Sequence, residues 1–152
     1  MELNILRADP AGNITVFVLD PVEKAQRAAI AEKIMAIPAL KAEQVGYACA
    51  AEDDVDGHME MMGGEFCGNA TRAYGMYIAQ QKGGLSAVKL RVSGCDHAVT
   101  AQVDLRSGTA RAEMPCPRSV KRVTVNGHEG TLVDLTGCLL YTSPSPRDKR
   151  QS

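Results

Sequence analysis

The residues with the clearest chemical potential lie in one run, Met62-Gly63-Gly64-Glu65-Phe66-Cys67-Gly68-Asn69-Ala70-Thr71-Arg72-Ala73-Tyr74. A helical pattern begins near Asn69, so Cys67 stands just ahead of the first turn. The leading amides of a helix have no partner inside it, and the helix dipole favours negative charge at that end. Both effects favour the thiolate over the thiol and predict a reactive Cys67. Gly68 lets a ligand approach the backbone closely. The amides of Gly68, Asn69 and Ala70 would cradle an anion the size of a carboxylate. A thiolate beside a carboxylate cradle is equipped to abstract a proton from the Cα of an amino acid. The residues alone leave a second reading open, a glycine-rich turn holding a buried, inert cysteine.

Other chemically capable residues are less well placed. Cys49, Cys95 and Cys116 fall in strand or turn contexts and read as structural, although Cys95 follows a Ser-Gly turn and could line a cleft. His58, His97 and His128 have no nucleophile or ligand partner at readable spacing. Asp53-Asp54-Val55-Asp56-Gly57 resembles the start of a calcium loop but lacks the acid expected at its twelfth position, so no metal site is expected. The five cysteines form no Cys-x-x-Cys pair, which argues against zinc, and a chain read as cytoplasmic should keep them reduced.

The elements around the Cys67 run alternate. Leu3–Arg7 and Ile14–Leu19 read as strands joined by the turn Asp9-Pro10-Ala11-Gly12-Asn13. Asp20 is a good N-cap, Pro21 suits a first helical position and Glu23 completes a capping box, so a helix is predicted to about Met35 and to end before Pro38. Val45–Cys49 and His58–Met62 read as strands. A second helix is predicted from Asn69 to Gln81; it is apolar nearly all round and therefore buried. Val88–Ser93, Ala98–Val103, Thr109–Met114, Val120–Val125 and Thr131–Leu135 read as strands, with Asn126-Gly127 as a hairpin turn. The expectation is an α+β fold, an antiparallel sheet wrapped around a central buried helix.

Composition excludes some classes. The 152 residues carry a formal net charge of −1, with four Tyr, two Phe and no Trp. Nucleic-acid binding usually needs a basic face and stacking rings, so no nucleic-acid partner is expected. No purely apolar run, Val16–Leu19 among them, approaches the ~20 residues of a membrane helix. The N-terminus lacks the basic and apolar blocks of a signal peptide, which gives the expectation of a cytoplasmic chain without membrane partners.

Glu65-Phe66-Cys67-Gly68-Asn69-Ala70-Thr71 resembles the first catalytic-cysteine motif of the diaminopimelate epimerase superfamily. Asp9-Pro10-Ala11-Gly12-Asn13, Glu43-Gln44-Val45-Gly46 and Val92-Ser93-Gly94-Cys95 match in order and spacing, and together look closest to the histidine racemases of opine-metallophore biosynthesis. Asn69 after Cys-Gly speaks against the proline-racemase branch, which usually has His there. The resemblance covers residues 1–137 and implies an N-terminal epimerase-like domain, one half of a two-lobed enzyme that uses no pyridoxal phosphate or other cofactor. It implies that Cys67 is one of two acid/base thiols. Gly68 and Asn69 would hold the α-carboxylate and ammonium region, Asn13 would contact substrate, and Glu43 would face its side chain. The implied partners are an amino-acid substrate and the missing C-terminal half of the same enzyme, with a homodimer possible. The family's second cysteine, in a Cys-Gly-Ser/Thr-Gly type of motif, has no counterpart in this chain. Diaminopimelate epimerase is the alternative within the superfamily. Of another class is a non-catalytic amino-acid-binding or thiol redox-sensing domain. Arg72 is expected at a surface or interface.

The segment 138–152 is of a different character. Cys138-Leu-Leu-Tyr-Thr-Ser-Pro-Ser-Pro-Arg-Asp148 resembles a translated sequencing adapter, so the expectation is a non-native, disordered tail whose Pro144 and Pro146 forbid a regular ladder.

Overall fold

The structure, a computed structural model, describes residues 2–135 and 138–142. Two compact units divide the chain at Met114–Pro115.

The first unit holds a seven-stranded sheet whose spatial order follows chain order: β1 (Ile5–Ala8), β2 (Thr15–Val18), β3 (Gln44–Cys49), β4 (Gly57–Met61), β5 (Ala87–Val92), β6 (Val99–Asp104) and β7 (Thr109–Ala112). Helix α1 (Lys24–Met35) lies between β2 and β3, and helix α2 (Gly68–Gln81) between β4 and β5. The α+β class holds, but the sheet is mixed rather than antiparallel. The β2–β3 and β4–β5 pairs are parallel and the other four are antiparallel. The reason is the helices. A strand that returns through a helical crossover enters the sheet in the direction it left, whereas the short turns elsewhere reverse the chain.

Side chains alternate across the sheet and build two cores. Phe17, Met59, Met61, Val88, Leu90, Val92, Val99, Ala101 and Val103 pack on α2 through its Ala70, Tyr74 and Ala79. Val16, Val18, Val45 and Tyr47 face the other way, onto Ile30, Ala31 and Ile34 of α1. Helix α2 is the buried one, as its composition predicts; Gln80 and Gln81 are its exposed residues. It lies close to the sheet because Gly75 has no side chain: a Cβ there would sit 2.6 Å from the Cβ of Ala101. Residues of β1, of the Asp9–Ala11 turn, of β7 and of α2 together line a cavity of about 420 Å³, so the sheet curls until both its edges flank the helix.

Helix α1 starts later than its sequence suggests. Glu23 is the residue at its N-cap and makes no side-chain capping bond. Asp20 is engaged elsewhere, accepting from the backbone N–H of Asn4 at 2.5 Å and from its Nδ2 at 3.0 Å. The side-chain bond from Asn4, and then the backbone one, hold the Asp20 carboxyl below the usual aspartate range. A long-range partner has outcompeted the local cap.

The second unit holds β8 (Ser119–Val125), β9 (His128–Leu135) and β10 (Cys138–Thr142), antiparallel in the order β10-β9-β8. Asn126 and Gly127 have φ of 51° and 79°, the left-handed pair that a two-residue hairpin requires. The expected irregular tail does not begin at Cys138: Cys138–Thr142 pairs with Thr131–Leu135. This stretch includes Leu139, Leu140 and Tyr141 and ends before Pro144, the first residue unable to donate to a ladder. The remainder of the tail, 143–152, lies outside the described residues. Among the described residues no helix is long and apolar enough to cross a membrane.

Gly75→Ala should destabilise the first unit by about 1–3 kcal/mol, the usual cost of overpacking a core. Ala101→Gly in the same chain should restore part of that loss. Urea denaturation of the two single variants and the double variant measures the coupling.

Candidate active site

Cys67 is the N-cap of α2, with extended backbone (φ −130°, ψ 109°). Three features fix it there. The buried Thr71 donates to the Cys67 carbonyl twice, from its backbone N–H at 2.9 Å and from Oγ1 at 2.8 Å. Ser93 Oγ accepts from the Met61 N–H at 2.8 Å and donates to the Glu65 carbonyl at 2.7 Å, tying the end of β4 to the loop before Cys67. Gly94, at φ +75°, passes so close to that loop that a Cβ would lie 2.3 Å from the Phe66 nitrogen. The Val92-Ser93-Gly94 run is therefore the brace that holds the Cys67 loop from behind.

The sulfur receives two N–H groups. The Ala70 amide donates to Sγ at 3.5 Å and the Gln44 side-chain amide at 3.3 Å. The Ala70 amide thus serves the thiol itself, instead of a ligand as its position in the sequence suggests. The first-turn amides of Gly68 and Asn69 have no acceptor within the helix. Gly68 is covered by Met114, whose Sδ would stand 3.0 Å from a Cβ added to Gly68. Met114 is exposed and flexible, so a ligand approaching that backbone displaces a thioether rather than a fixed wall.

Asn13 and Glu43 join the same site through Gln44. Gln44 Nε2 donates to Asn13 Oδ1 and to Thr15 Oγ1, each at 2.7 Å, as well as to Cys67. Asn13 Nδ2 in turn donates to Glu43 Oε2 at 3.3 Å. Four side chains from the first turn, the entry to β3 and the α2 N-terminus so form one chain, Glu43–Asn13–Gln44–Cys67. Asn69 is held differently: Arg72, one turn on, donates to its Oδ1. Arg72, expected at a surface or interface, is half-buried with Asn69 as its partner.

A match to the family described as the histidine racemase CntK N-terminal domain spans residues 2–140. The chain belongs to that family. It is 32% identical to a histidine racemase of Fusobacterium nucleatum over 144 residues, covering 89% of this chain and 52% of the relative. It is 33% identical to a histidine racemase of Staphylococcus aureus over 122 residues, covering 78% of this chain and 44% of the relative. The chain therefore spans about half the length of the curated relatives it matches.

In this member of the CntK N-terminal domain family, Gln44 and Thr15 are the site residues that the sequence reading did not single out. Gln44 stands inside the Glu43-Gln44-Val45-Gly46 run, and the signal for it was strand alternation. Val45 and Tyr47 point at α1, so Gln44 must point at α2. The remaining cysteines differ in setting. Burial, opposed by the nearby Arg27, pushes the Cys49 thiol up, and burial together with Asp96 and Glu113 pushes the Cys95 thiol up. Cys116 is exposed.

Iodoacetamide at neutral pH should alkylate Cys67 ahead of Cys49, Cys95 and Cys116, and Gln44→Leu should slow the labelling of Cys67 alone. Peptide mass spectrometry over a time course gives the ranking. Cys67 labelling no faster than the other three would remove the basis for its assignment.

Proposed function

We propose that this chain is the N-terminal half of a cofactor-independent amino-acid racemase acting on histidine, with Cys67 as one of its two acid/base thiols. The observation that carries the reading is the sulfur of Cys67 at the N-cap of α2, receiving N–H groups from Ala70 and Gln44. A thiolate is the base needed at Cα, and these two N–H groups point at the atom that would carry its charge. The names of the relatives support histidine as the substrate.

The chemistry follows from the placement. The α-carboxylate rests on the amides of Gly68 and Asn69 at the positive end of α2, which stabilises the charge that spreads into it as the Cα proton leaves. Cys67 takes that proton on one face. The thiol of the other half gives a proton to the opposite face, and the configuration inverts. In the reverse direction the two thiols exchange roles. Asn13 orients the substrate, and Glu43 faces the imidazole, where a carboxylate pairs well with a ring N–H. Asn69 is held through its Oδ1 by Arg72.

The 152-residue chain alone should not racemise L-histidine, because one thiol cannot serve both faces; chiral chromatography would detect D-histidine. In the enzyme completed with its C-terminal half, Cys67→Ser should lower racemisation by at least ~10²–10⁴-fold, the range of general acid–base catalysis. In D2O, the variant should exchange Cα–H of one enantiomer only, followed by NMR. Racemisation near the unmodified rate in Cys67→Ser would overturn the proposal.

A further inference from the structure

On the opposite face of the sheet from Cys67, three potential metal ligands of different chemistry converge. Cys49 and His58 are directly opposed on the antiparallel strands β3 and β4, and Glu60 lies two residues beyond His58 on the same face. A sulfur, an imidazole nitrogen and a carboxylate oxygen from these residues all lie within 4.8 Å of one another. Atoms so spaced lie no more than about 2.8 Å from a common centre, and zinc bonds of about 2.0–2.3 Å require each to move in by less than ~1 Å. The ligands stand on paired strands rather than a loop, so register fixes their separation. The histidine is also oriented as a metal ligand usually is. Its Nδ1 is engaged with the Ala50 carbonyl at 3.2 Å, while Nε2 faces Glu60 Oε1 at 3.8 Å.

A cation already attends this cluster. Arg27 of α1 bonds Glu60 through Nη1 and donates to Cys49 Sγ through Nη2 at 3.4 Å. Its guanidinium also lies over the Tyr47 ring, 5.1 Å from the centroid, and its Nε donates to the Val22 carbonyl at 3.2 Å. Lys24 Nζ adds a weaker contact to Glu60 at 3.7 Å. Arg27 thus bridges the same sulfur and carboxylate that would bind a metal, and two such cations cannot share them.

We propose that Cys49, His58 and Glu60 form a site for a divalent cation of the zinc class, in which the metal and the Arg27 guanidinium are alternative occupants. The mixed thiolate, imidazole and carboxylate set suits zinc and cobalt, not calcium or magnesium. Water completes a tetrahedral shell. No Cys-x-x-Cys or His-x-x-x-His spacing announces the site, because the strand register assembles it, and the expectation of no metal read from the sequence rests on such spacings. The site is independent of the racemase reading, lying on the face of β3 and β4 that packs against α1.

Cobalt(II) serves as the probe, added to the reduced 152-residue chain while the thiolate-to-cobalt absorption is followed. The unmodified chain should show this absorption, and Cys49→Ser should abolish it even though Cys67, Cys95, Cys116 and Cys138 remain. His58→Gln should weaken binding at least tenfold, and Arg27→Gln should tighten it by a similar factor, with circular dichroism checking that each variant folds. Zinc should displace the cobalt, and magnesium should not. Absorption that survives Cys49→Ser, or none in the unmodified chain, would overturn the site. Unchanged affinity in Arg27→Gln would overturn the exchange with the guanidinium.

Discussion

Helix α2 can enter the curl of the sheet only because the face it turns to β5 and β6 is small. Gly75 lies against Ala101 and has no room for a methyl group of its own. That contact sets how deeply the helix sits, and its depth sets where its N-terminus emerges. The emerging end lies beside the starts of β2 and β3, where Thr15 and Gln44 are paired across a parallel register. A parallel pair puts both strand starts at the same end of the sheet, so residues far apart in sequence arrive together without any loop having to reach for them. The helix terminus then brings its unpaired amides to that end. The site is a consequence of where a buried helix has to stop.

Much of this was legible in the sequence, and the failures have one physical cause. The second helix, its burial and the cysteine at its head followed from local composition alone. The Asn126-Gly127 hairpin did too, since two left-handed residues in succession have few other uses. Strand positions in the first unit were right to within a residue or two, but their pairing sense was not; in the second unit β9 begins three residues before its expected start, and β10 was not foreseen. Parallel pairing depends on which strands meet after a helical crossover, and that is not a local property. Asp20 failed in the same manner. As a local residue it is a helix cap, and in the fold it belongs to Asn4, sixteen residues earlier.

Of the site, Cys67, Asn13 and Glu43 are linked through Gln44, and Gly68 and Asn69 share the helix start with the thiol. Gln44 escaped notice because a glutamine beside a glutamate in a strand carries no chemical signature by itself. Its importance lies in the alternation of β3. Gln44, Gly46 and Ala48 face α2, while Val45, Tyr47 and Cys49 face α1. One strand therefore supplies a hydrogen-bond donor to the Cys67 side and a thiol to the cluster around Arg27. Gly46 is needed between them, because a Cβ there would lie 2.7 Å from the Phe17 ring. A one-residue slip would bring Val45 to the Cys67 sulfur and Gln44 into an apolar core, so the register of β3 is under constraint from both faces at once.

The position of Gln44 also links the parts of the site energetically. Its amide nitrogen carries two protons and stands within bonding distance of three acceptors, Asn13 Oδ1, Thr15 Oγ1 and Cys67 Sγ. At any instant one acceptor goes without. The two oxygens are the shorter and stronger partners, so the sulfur competes at a disadvantage while Asn13 is free to accept. A ligand that engages the Asn13 carbonyl with its own donor changes that balance and releases a proton of Gln44 toward the sulfur. An ammonium group is such a donor, and an amino acid brings one together with the carboxylate that the first amides of α2 can hold. On the proposed reading, occupation of the site would thus strengthen hydrogen bonding to Cys67 as the proton is taken, through groups that the parallel pairing of β2 and β3 already holds in place.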